Sequence, residues 1–332
     1  MSRHVVFGTG QVGSHVVTEL VAAGHDVTAV SRSGRERFDN ATTVGGDATD
    51  PSFTTKVAAG ADAVYFCLNA GSYARWAEEF PPLQHGVLAG AEAAAARLVV
   101  LDNLYSYGPT QGADLVETMP ARPSSTKAAI RAAMTDELFA AHYAGRVEVT
   151  VGRASDYFGP GAVHSALGET VFATALTGRT AQVMGDIDTL HSYSYTPDVA
   201  AALVTLGMHP DACGSVWHLP VAETRTTREI IEHVYRLAGH RPRSFAAGRT
   251  TLRLVGLIKP AMREYLHTLY QFTDRWVVDD TKFRDAFGDH ATPLDEALAT
   301  TLQWYRHAEM PEPRPDTLPQ EASVSHDQRT NP

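Results

Sequence analysis

The chain has little with which to tie itself together covalently. Cys67 and Cys213 are the only cysteines in 332 residues, too few for the disulfide framework of a secreted scaffold. No charged segment followed by an apolar one opens the sequence, so a cytoplasmic, reducing setting is expected. Long hydrophobic runs are missing as well. Ala93 to Leu101 is the longest, Arg97 interrupts it, and it falls far short of the ~20 apolar residues that span a bilayer. Basic charge is in deficit: 28 Lys and Arg against 38 Asp and Glu leave a formal charge of -10. That balance excludes a sequence-independent grip on nucleic acid or an anionic membrane and leaves room only for a local basic pocket. Despite 15 histidines there is no His-Glu-x-x-His and no paired Cys-x-x-Cys, so no metal site is expected. Gly-x-Ser-x-Gly and Gly-x-x-x-x-Gly-Lys-Ser/Thr are also absent, which removes the usual hydrolase elbow and the P-loop.

What is present is an ordinary globular balance, 44% hydrophobic and 20% charged, in a length that suits about two domains. Residues 3–8 read as a strand, 11–24 as a helix through Val12, Val16, Val17, Leu20 and Val21, and 26–31 as a second strand. Weaker signals continue the alternation: a strand at 41–45, a helix at 53–59, and an apolar strand at 63–68 of the kind buried on both faces. A helical region then runs to about Ala96; Pro81 and Pro82 suit a new first turn better than a helix interior. Strands at 98–101 and 147–151 flank a helix at 125–144. No internal repeat is visible. The pattern predicts an α/β fold: a Rossmann-like doubly wound parallel sheet over 1–154, then a smaller C-terminal substrate-binding lobe over 155–309 with some segments returning to the sheet. Residues 310–332, rich in Pro, Asp, Ser and Gln, are expected to form a flexible tail.

Gly8-Thr9-Gly10-Gln11-Val12-Gly13 is a G-x-G-x-x-G that follows a predicted strand and opens a predicted helix. In that context Gly8 allows the turn, Gly10 lets a pyrophosphate approach the backbone, and Gly13 lets helix and strand pack closely. The end of the second strand, Val30-Ser31-Arg32-Ser33, carries no acid for a ribose 2′-hydroxyl. Arg32, helped by Ser31, Ser33 or Arg35, can pair with a 2′-phosphate, so NADPH is favoured over NADH; the bland alternative is a solvated arginine. Asp47 and Ala48 are placed to meet the adenine, and Asn69 and Ala70 to pass beneath the nicotinamide, although each segment can equally be an Asx-type turn.

These residues resemble the extended short-chain dehydrogenase/reductase superfamily, in particular its atypical members of the epimerase/dehydratase type. The likeness runs over roughly 3–290 and rests on four blocks in order: Gly8–Gly13, Leu101–Pro109, Arg153–Gly161 and His191–Ala200. The resemblance implies a Tyr-x-x-x-Lys pair with an upstream Ser or Thr, the tyrosine exchanging a proton with substrate oxygen while the lysine holds the nicotinamide ribose. This chain departs from that pattern. Its lysines are Lys56, Lys127, Lys259 and Lys282, and Ser52, Pro123, Val255 and Val278 stand four residues before them. Lys127 matches the family lysine by order, Pro123 stands where the tyrosine belongs, and Asn103 stands at the Ser/Thr position.

Hydride delivery to a ketone makes an alkoxide, and a positioned general acid contributes roughly 10²–10⁴-fold to such a step. Ser124, Ser125 or Thr126 can relay a proton through water, or Tyr105 can reach in, but an alcohol without an activating base is a poor acid. A substrate with an acidic hydroxyl beside its carbonyl removes the need. The resulting expectation is an NADPH-dependent ketoreductase of an aromatic or polyketide-type natural product, protonated with help from substrate or water; reductases of angucyclinone-type antibiotic biosynthesis are the nearest functional type. Asn103, Tyr105, Ser125 and Lys127 are the catalytic candidates, with a backbone-bonded strand-end asparagine as the alternative for Asn103 and a surface pair as the alternative for Lys127. Asp156 should lie near the nicotinamide or cap a turn; Tyr157, His191 and Tyr193 should line the substrate pocket with Ser192, while Tyr195 packs. The apolar face of 252–272 reads as core or lid. The expected partner is a small-molecule ketone, with a homodimer as the candidate assembly. Two other readings stay open: a nucleotide-sugar epimerase or dehydratase, which would lean on the tyrosine this chain lacks, and a non-catalytic NADP(H)-binding regulator.

Overall fold

A computed structural model describes residues 1–71, 75–258 and 266–308, without the side chains of 255–258. The expected tail and part of the 252–272 face lie outside the described residues. Among the described residues, no helix is long and apolar enough to cross a membrane.

The first half alternates as expected: β1 (Arg3–Phe7), α1 (Gly13–Ala22), β2 (Asp26–Ser31), β3 (Thr42–Gly45), α2 (Pro51–Ala58), β4 (Ala63–Phe66), α3 (Trp76–Ala94), β5 (Arg97–Asn103), α4 (Thr126–Tyr143) and β6 (Val149–Ala154). The second half holds β7 (Asp156–Phe158), a π-helical turn (Gly168–Ala173) running into α5 (Thr174–Leu176), β8 (Ala181–Met184), β9 (Leu190–His191), β10 (Tyr193–Tyr195), α6 (Thr196–Met208), β11 (Val216–His218), β12 (Arg225–Thr226), α7 (Thr227–Ala238) and β13 (Ser244–Ala247). Seven strands form one sheet in the order β11-β6-β5-β4-β1-β2-β3. Every pairing in it is parallel, so all the carboxyl ends meet at one edge. The order reverses between β1 and β4, the crevice where ligands of such sheets collect.

Burial explains why the strands read so plainly. Val5 and Phe7 face one layer with Val87, Leu88 and Ala91 of α3 and Leu138 of α4. Val6 faces the other with Val16, Val17 and Leu20 of α1 and Val199, Leu203 and Leu206 of α6. A sheet covered on both faces demands apolar residues at successive positions rather than alternate ones. A separate core, built from Phe158, Val171, Phe172, Tyr195, Ile230, Ile231, Val234 and Leu298, belongs to the later segments. Helix α6 and strand β11, both beyond residue 154, return to the sheet.

One expectation fails. Pro81 and Pro82 lie inside α3 rather than opening a new helix. Each costs one backbone donor, yet the helix is held through both its flanks: Trp76 stacks on Tyr105 at 5.7 Å, Phe80 packs beneath the Arg131 guanidinium at 4.7 Å, and the following turns are buried.

A buried charge cluster lies at the carboxyl ends of β5 and β6. Asp102, 3% exposed, accepts from Arg131 Nε at 2.8 Å and from Arg153 Nε at 3.0 Å. Arg153 lies over the Tyr107 ring at 4.7 Å, and the Tyr107 hydroxyl meets His218 Nε2 at 2.9 Å. Burial pushes the Asp102 carboxyl up, but the two guanidinium groups more than offset that and hold it below the usual carboxylate range. A depressed native value means that the stability it contributes is present above the unfolded value of about 4 and is lost as pH falls through the native one. Asp102→Asn, which leaves both guanidinium groups without a counter-charge, is expected to lower the unfolding free energy by about 3–5 kcal/mol at neutral pH and to flatten the stability loss below about pH 4. Urea unfolding of both proteins across that range measures it.

Candidate active site

The turn after β1 is shaped by contacts that exclude side chains. Gly8 has φ +99°, and a Cβ on it would sit 2.5 Å from the Cys67 carbonyl oxygen. A Cβ on Gly13 would sit 1.8 Å from the Gly8 carbonyl oxygen, so the helix can approach the strand only through glycine. Gly10 differs: a Cβ there would meet nothing within 4 Å. Its missing side chain leaves open space at the start of α1, where Val12 offers no side-chain cap and the first turn holds no acid. Thr9 and Gln11 are half-buried and Val12 is buried beside that opening. Free amide donors, a positive helix end and an open cradle fit the pyrophosphate of a dinucleotide.

At the end of β2 the structure brings in an acid that the strand itself lacks. The Ser31 hydroxyl donates to Glu36, the Ser33 hydroxyl also reaches Glu36 at 3.3 Å, and the Ser31 hydroxyl accepts from the Gly34 amide at 2.9 Å. The serines expected to face a phosphate are therefore engaged with Glu36, whose carboxyl the Ser31 bond holds below its usual value. Arg32 stays exposed and extends toward the segment after β4, its Nη2 3.8 Å from where a Cβ on Gly71 would stand. Asp47 forms an Asx turn, accepting from the Thr49 amide at 2.9 Å and hydroxyl at 2.8 Å, and those bonds lower its pKa, with a smaller contribution from Arg32. Ala48 is buried with its carbonyl against Gly86 of α3. Asn69 is exposed and Ala70 buried just beyond β4.

Toward the other side of the crevice, Asn103 closes β5 and accepts from the Tyr105 amide at 3.0 Å through its Oδ1, so that oxygen holds the turn rather than a ligand. Tyr105 is half-buried with its ring stacked on Trp76. Ser125 is the N-cap of α4 and accepts from the Ala128 amide at 3.2 Å; its relay role gives way to a capping one. Lys127 lies in the first turn of that helix and is 6% exposed, which is incompatible with a surface ion pair. Pro123 sits in the loop ahead of the cap. A residue four before Lys127 is thus outside the helix and not one turn beneath the lysine.

Asn103 pairs in register with Ala154, and two residues further on comes Asp156. Its Oδ2 lies 3.0 Å from His191 Nε2. His191 Nδ1 donates to the Gln271 carbonyl at 3.0 Å. Tyr157 packs against the core that holds Val6 and Val99, along with Cys67. Burial pushes its phenol well above the ordinary range, with the Cys67 thiol adding to it. Two expected pocket residues turn out to be spent on structure. Tyr193 is buried with its hydroxyl 2.8 Å from Thr227 Oγ1, and Ser192 Oγ is 2.6 Å from Thr224 Oγ1 while accepting from the Val278 amide at 3.0 Å. Tyr195 packs against Phe158, ring centroids 5.3 Å apart.

Reading from sequence missed Glu36, the Asp102 cluster and the pairing of Asp156 with His191. A signal for the cluster was there: an acid ending an apolar strand, with an arginine inside the next strand, announces buried charges that must meet.

A family model described as the NAD dependent epimerase/dehydratase family matches residues 5–219. No curated protein matches the chain. Among solved structures, a double mutant of dTDP-glucose 4,6-dehydratase from Streptomyces venezuelae with NAD and DAU bound is 19% identical, covers 92% of this chain and 97% of its own, and has a TM-score of 0.75. The dTDP-glucose 4,6-dehydratase of Bacillus anthracis, in complex with NAD, is 16% identical over 93% and 98%, with a TM-score of 0.76. UDP-glucose 4-epimerase of Thermus thermophilus, in complex with NAD, is 20% identical over 92% and 99%, with a TM-score of 0.72. At these identities the likeness is one of fold.

The glycines separate folding from binding. Gly10→Ala should leave the thermal midpoint within a degree or two but weaken dinucleotide binding roughly tenfold or more, the equivalent of about 1.4 kcal/mol. Gly13→Ala should lose folded protein outright. Thermal melts with fluorescence titration of NADPH read both; a Gly10→Ala protein that binds unchanged would place the pyrophosphate elsewhere.

Proposed function

The chain belongs to the NAD dependent epimerase/dehydratase family, and from that premise we propose that it is an NADPH-dependent ketoreductase acting on a carbonyl of an aromatic, polyketide-type compound. When bound, the dinucleotide supplies hydride. Gly8–Gly13 would hold its pyrophosphate, Arg32 its 2′-phosphate, and the buried Lys127 its nicotinamide ribose. The observation that carries the reading is the start of α4. Ser125 caps the helix two residues before Lys127, and Pro123 lies in the loop ahead of it, which supports a helix start without the family's phenol.

That loss weighs unequally on the reactions of the fold. Epimerisation and dehydration of a nucleotide sugar begin by taking a proton from a substrate hydroxyl, which needs a strong, positioned base. Reduction of an aryl ketone needs only a proton for an alkoxide, the easier demand. A flanking phenol of the substrate and water are two sources. The second reading, a nucleotide-sugar epimerase or dehydratase, draws support from the family name and from the activities of the three solved relatives.

Arg32 and Glu36 compete for the cofactor. A guanidinium favours a 2′-phosphate, whereas a carboxylate favours an unsubstituted ribose. Arg32→Ala is expected to weaken NADPH roughly 10- to 100-fold, in line with charge-assisted bonds worth about 1.5–3 kcal/mol, and to leave NADH nearly unchanged. Glu36→Gln is expected to tighten NADPH. If Arg32→Ala binds NADPH as before, the cofactor assignment is wrong. For the reaction, loss of reduced-nicotinamide absorbance with hydroxyl-flanked aryl ketones is the expected result. Interconversion of UDP- or dTDP-sugars without net consumption of NADPH would favour the second reading, and tight NADPH binding without turnover would favour a regulator.

A further inference from the structure

We infer that the protein carries its own proton source in the pair Asp156 and His191: Asp156 is the catalytic acid that protonates the substrate oxygen, and His191 is the positioning residue that holds its proton. The inference rests on the reductase reading and adds a third proton source to substrate and water.

The hydrogen-bond geometry fixes where protons reside. The Gln271 carbonyl, 3.0 Å from His191 Nδ1, can only accept, so Nδ1 carries a hydrogen. The ring's other nitrogen faces Asp156 Oδ2 at 3.0 Å. Two acceptors cannot face each other there without repulsion, so one further proton occupies the gap between Nε2 and Oδ2. The imidazole is locked in place. Phe272 stacks on it with centroids 5.1 Å apart and planes at 5°, and Tyr193 lies at 4.3 Å. Side-chain exposure is 2% for His191 and 20% for Asp156, so the carboxyl is the member that reaches outward. It does so two residues beyond Ala154, the register partner of Asn103, at the sheet edge where the nicotinamide belongs.

The buried Asp102, Arg131, Arg153 and Lys127 stand on the neighbouring β5, α4 and β6. The phenols of Tyr157, Tyr193 and Tyr270 lie within the field of Asp156, and burial pushes all three up, so they stay neutral. Arg225, opposite His191 on β12, is turned to Glu223 at 2.8 Å.

The step balances without a further reactant. The carbonyl carbon receives a hydride and its π pair moves to oxygen. That oxygen takes the proton held by the pair: the bond to Asp156 breaks as the alcohol O–H forms. Asp156 is left as carboxylate and Nε2 with its lone pair, and water restores the proton. The ketone is reduced and the dinucleotide oxidised.

The test compares wild type with Asp156→Asn, Asp156→Glu and His191→Gln, using an aryl ketone that has no hydroxyl beside its carbonyl. Asp156→Asn should lower kcat roughly 100-fold, with KM little changed, at the lower end of what a general acid contributes. Asp156→Glu should recover part of that loss. Wild-type kcat should fall as pH rises, and Asp156→Asn should show no such limb. Nitrogen NMR of histidine-labelled protein, with neither ketone nor dinucleotide, should find one proton on His191 Nδ1 and a second shared between Nε2 and Asp156, and should find the second missing in Asp156→Asn. An Asp156→Asn enzyme with wild-type kcat and pH profile overturns the inference, as does a His191 ring whose nitrogen shifts ignore the substitution. A wild type that binds NADPH but consumes none with aryl ketones, with or without a flanking hydroxyl, sinks the reductase reading instead, and the nitrogen shifts then judge the pair alone.

Discussion

Two guanidinium groups share one buried carboxylate, and the far side of the crevice is built around that contact. Asp102 lies one residue before Asn103, which closes β5, Arg131 lies one helical turn after Lys127, and Arg153 lies three residues before Asp156. By drawing β5, α4 and β6 onto one charge, the cluster sets where the three functional ends emerge. Burying ions is costly, and an apolar replacement of the same volume can be as stable. What such a replacement lacks is direction: guanidinium bonds to a carboxylate fix angles as well as distances. On the proposed reading, a site that must place Lys127 and Asp156 precisely gains from that.

The opposite side of the crevice rests on absence of side chains. Gly13 presses against the Gly8 carbonyl, which brings the amide end of α1 close to the sheet, while Gly10 keeps the space in front of it open. Parallel topology does the rest, since strands that all run one way deliver their loops to one edge. The glycine-turn side of the crevice thus follows from backbone geometry and the far side from a buried ion cluster.

The same division decides what was legible in the sequence. Strands such as Val5-Val6-Phe7 and the glycine turn behind them are local features, visible in a window of a dozen residues because double-sided burial and a tight turn each restrict residue type. The prolines of α3 misled because flanking aromatic contacts, distant in sequence, outweighed a local preference. Glu36 escaped notice because its carboxylate folds back onto Ser31 across a loop whose path no periodicity encodes. Asp156 and His191 were each singled out, one for cofactor and one for substrate, yet their bond joins residues 35 apart through β7 and β9 and emerges only once both strands are in place. Tyr193 looked like a pocket residue because nothing in the sequence reveals that Thr227 claims its hydroxyl.

A crystal structure with bound NADPH tests the central claim most directly. The account predicts the pyrophosphate against Gly10, the 2′-phosphate on Arg32, and the nicotinamide lying between Asn103 and Asp156 with no phenol beside its reactive carbon. A dinucleotide bound away from the Gly8–Gly13 turn, or a tyrosine hydroxyl next to that carbon, would contradict it.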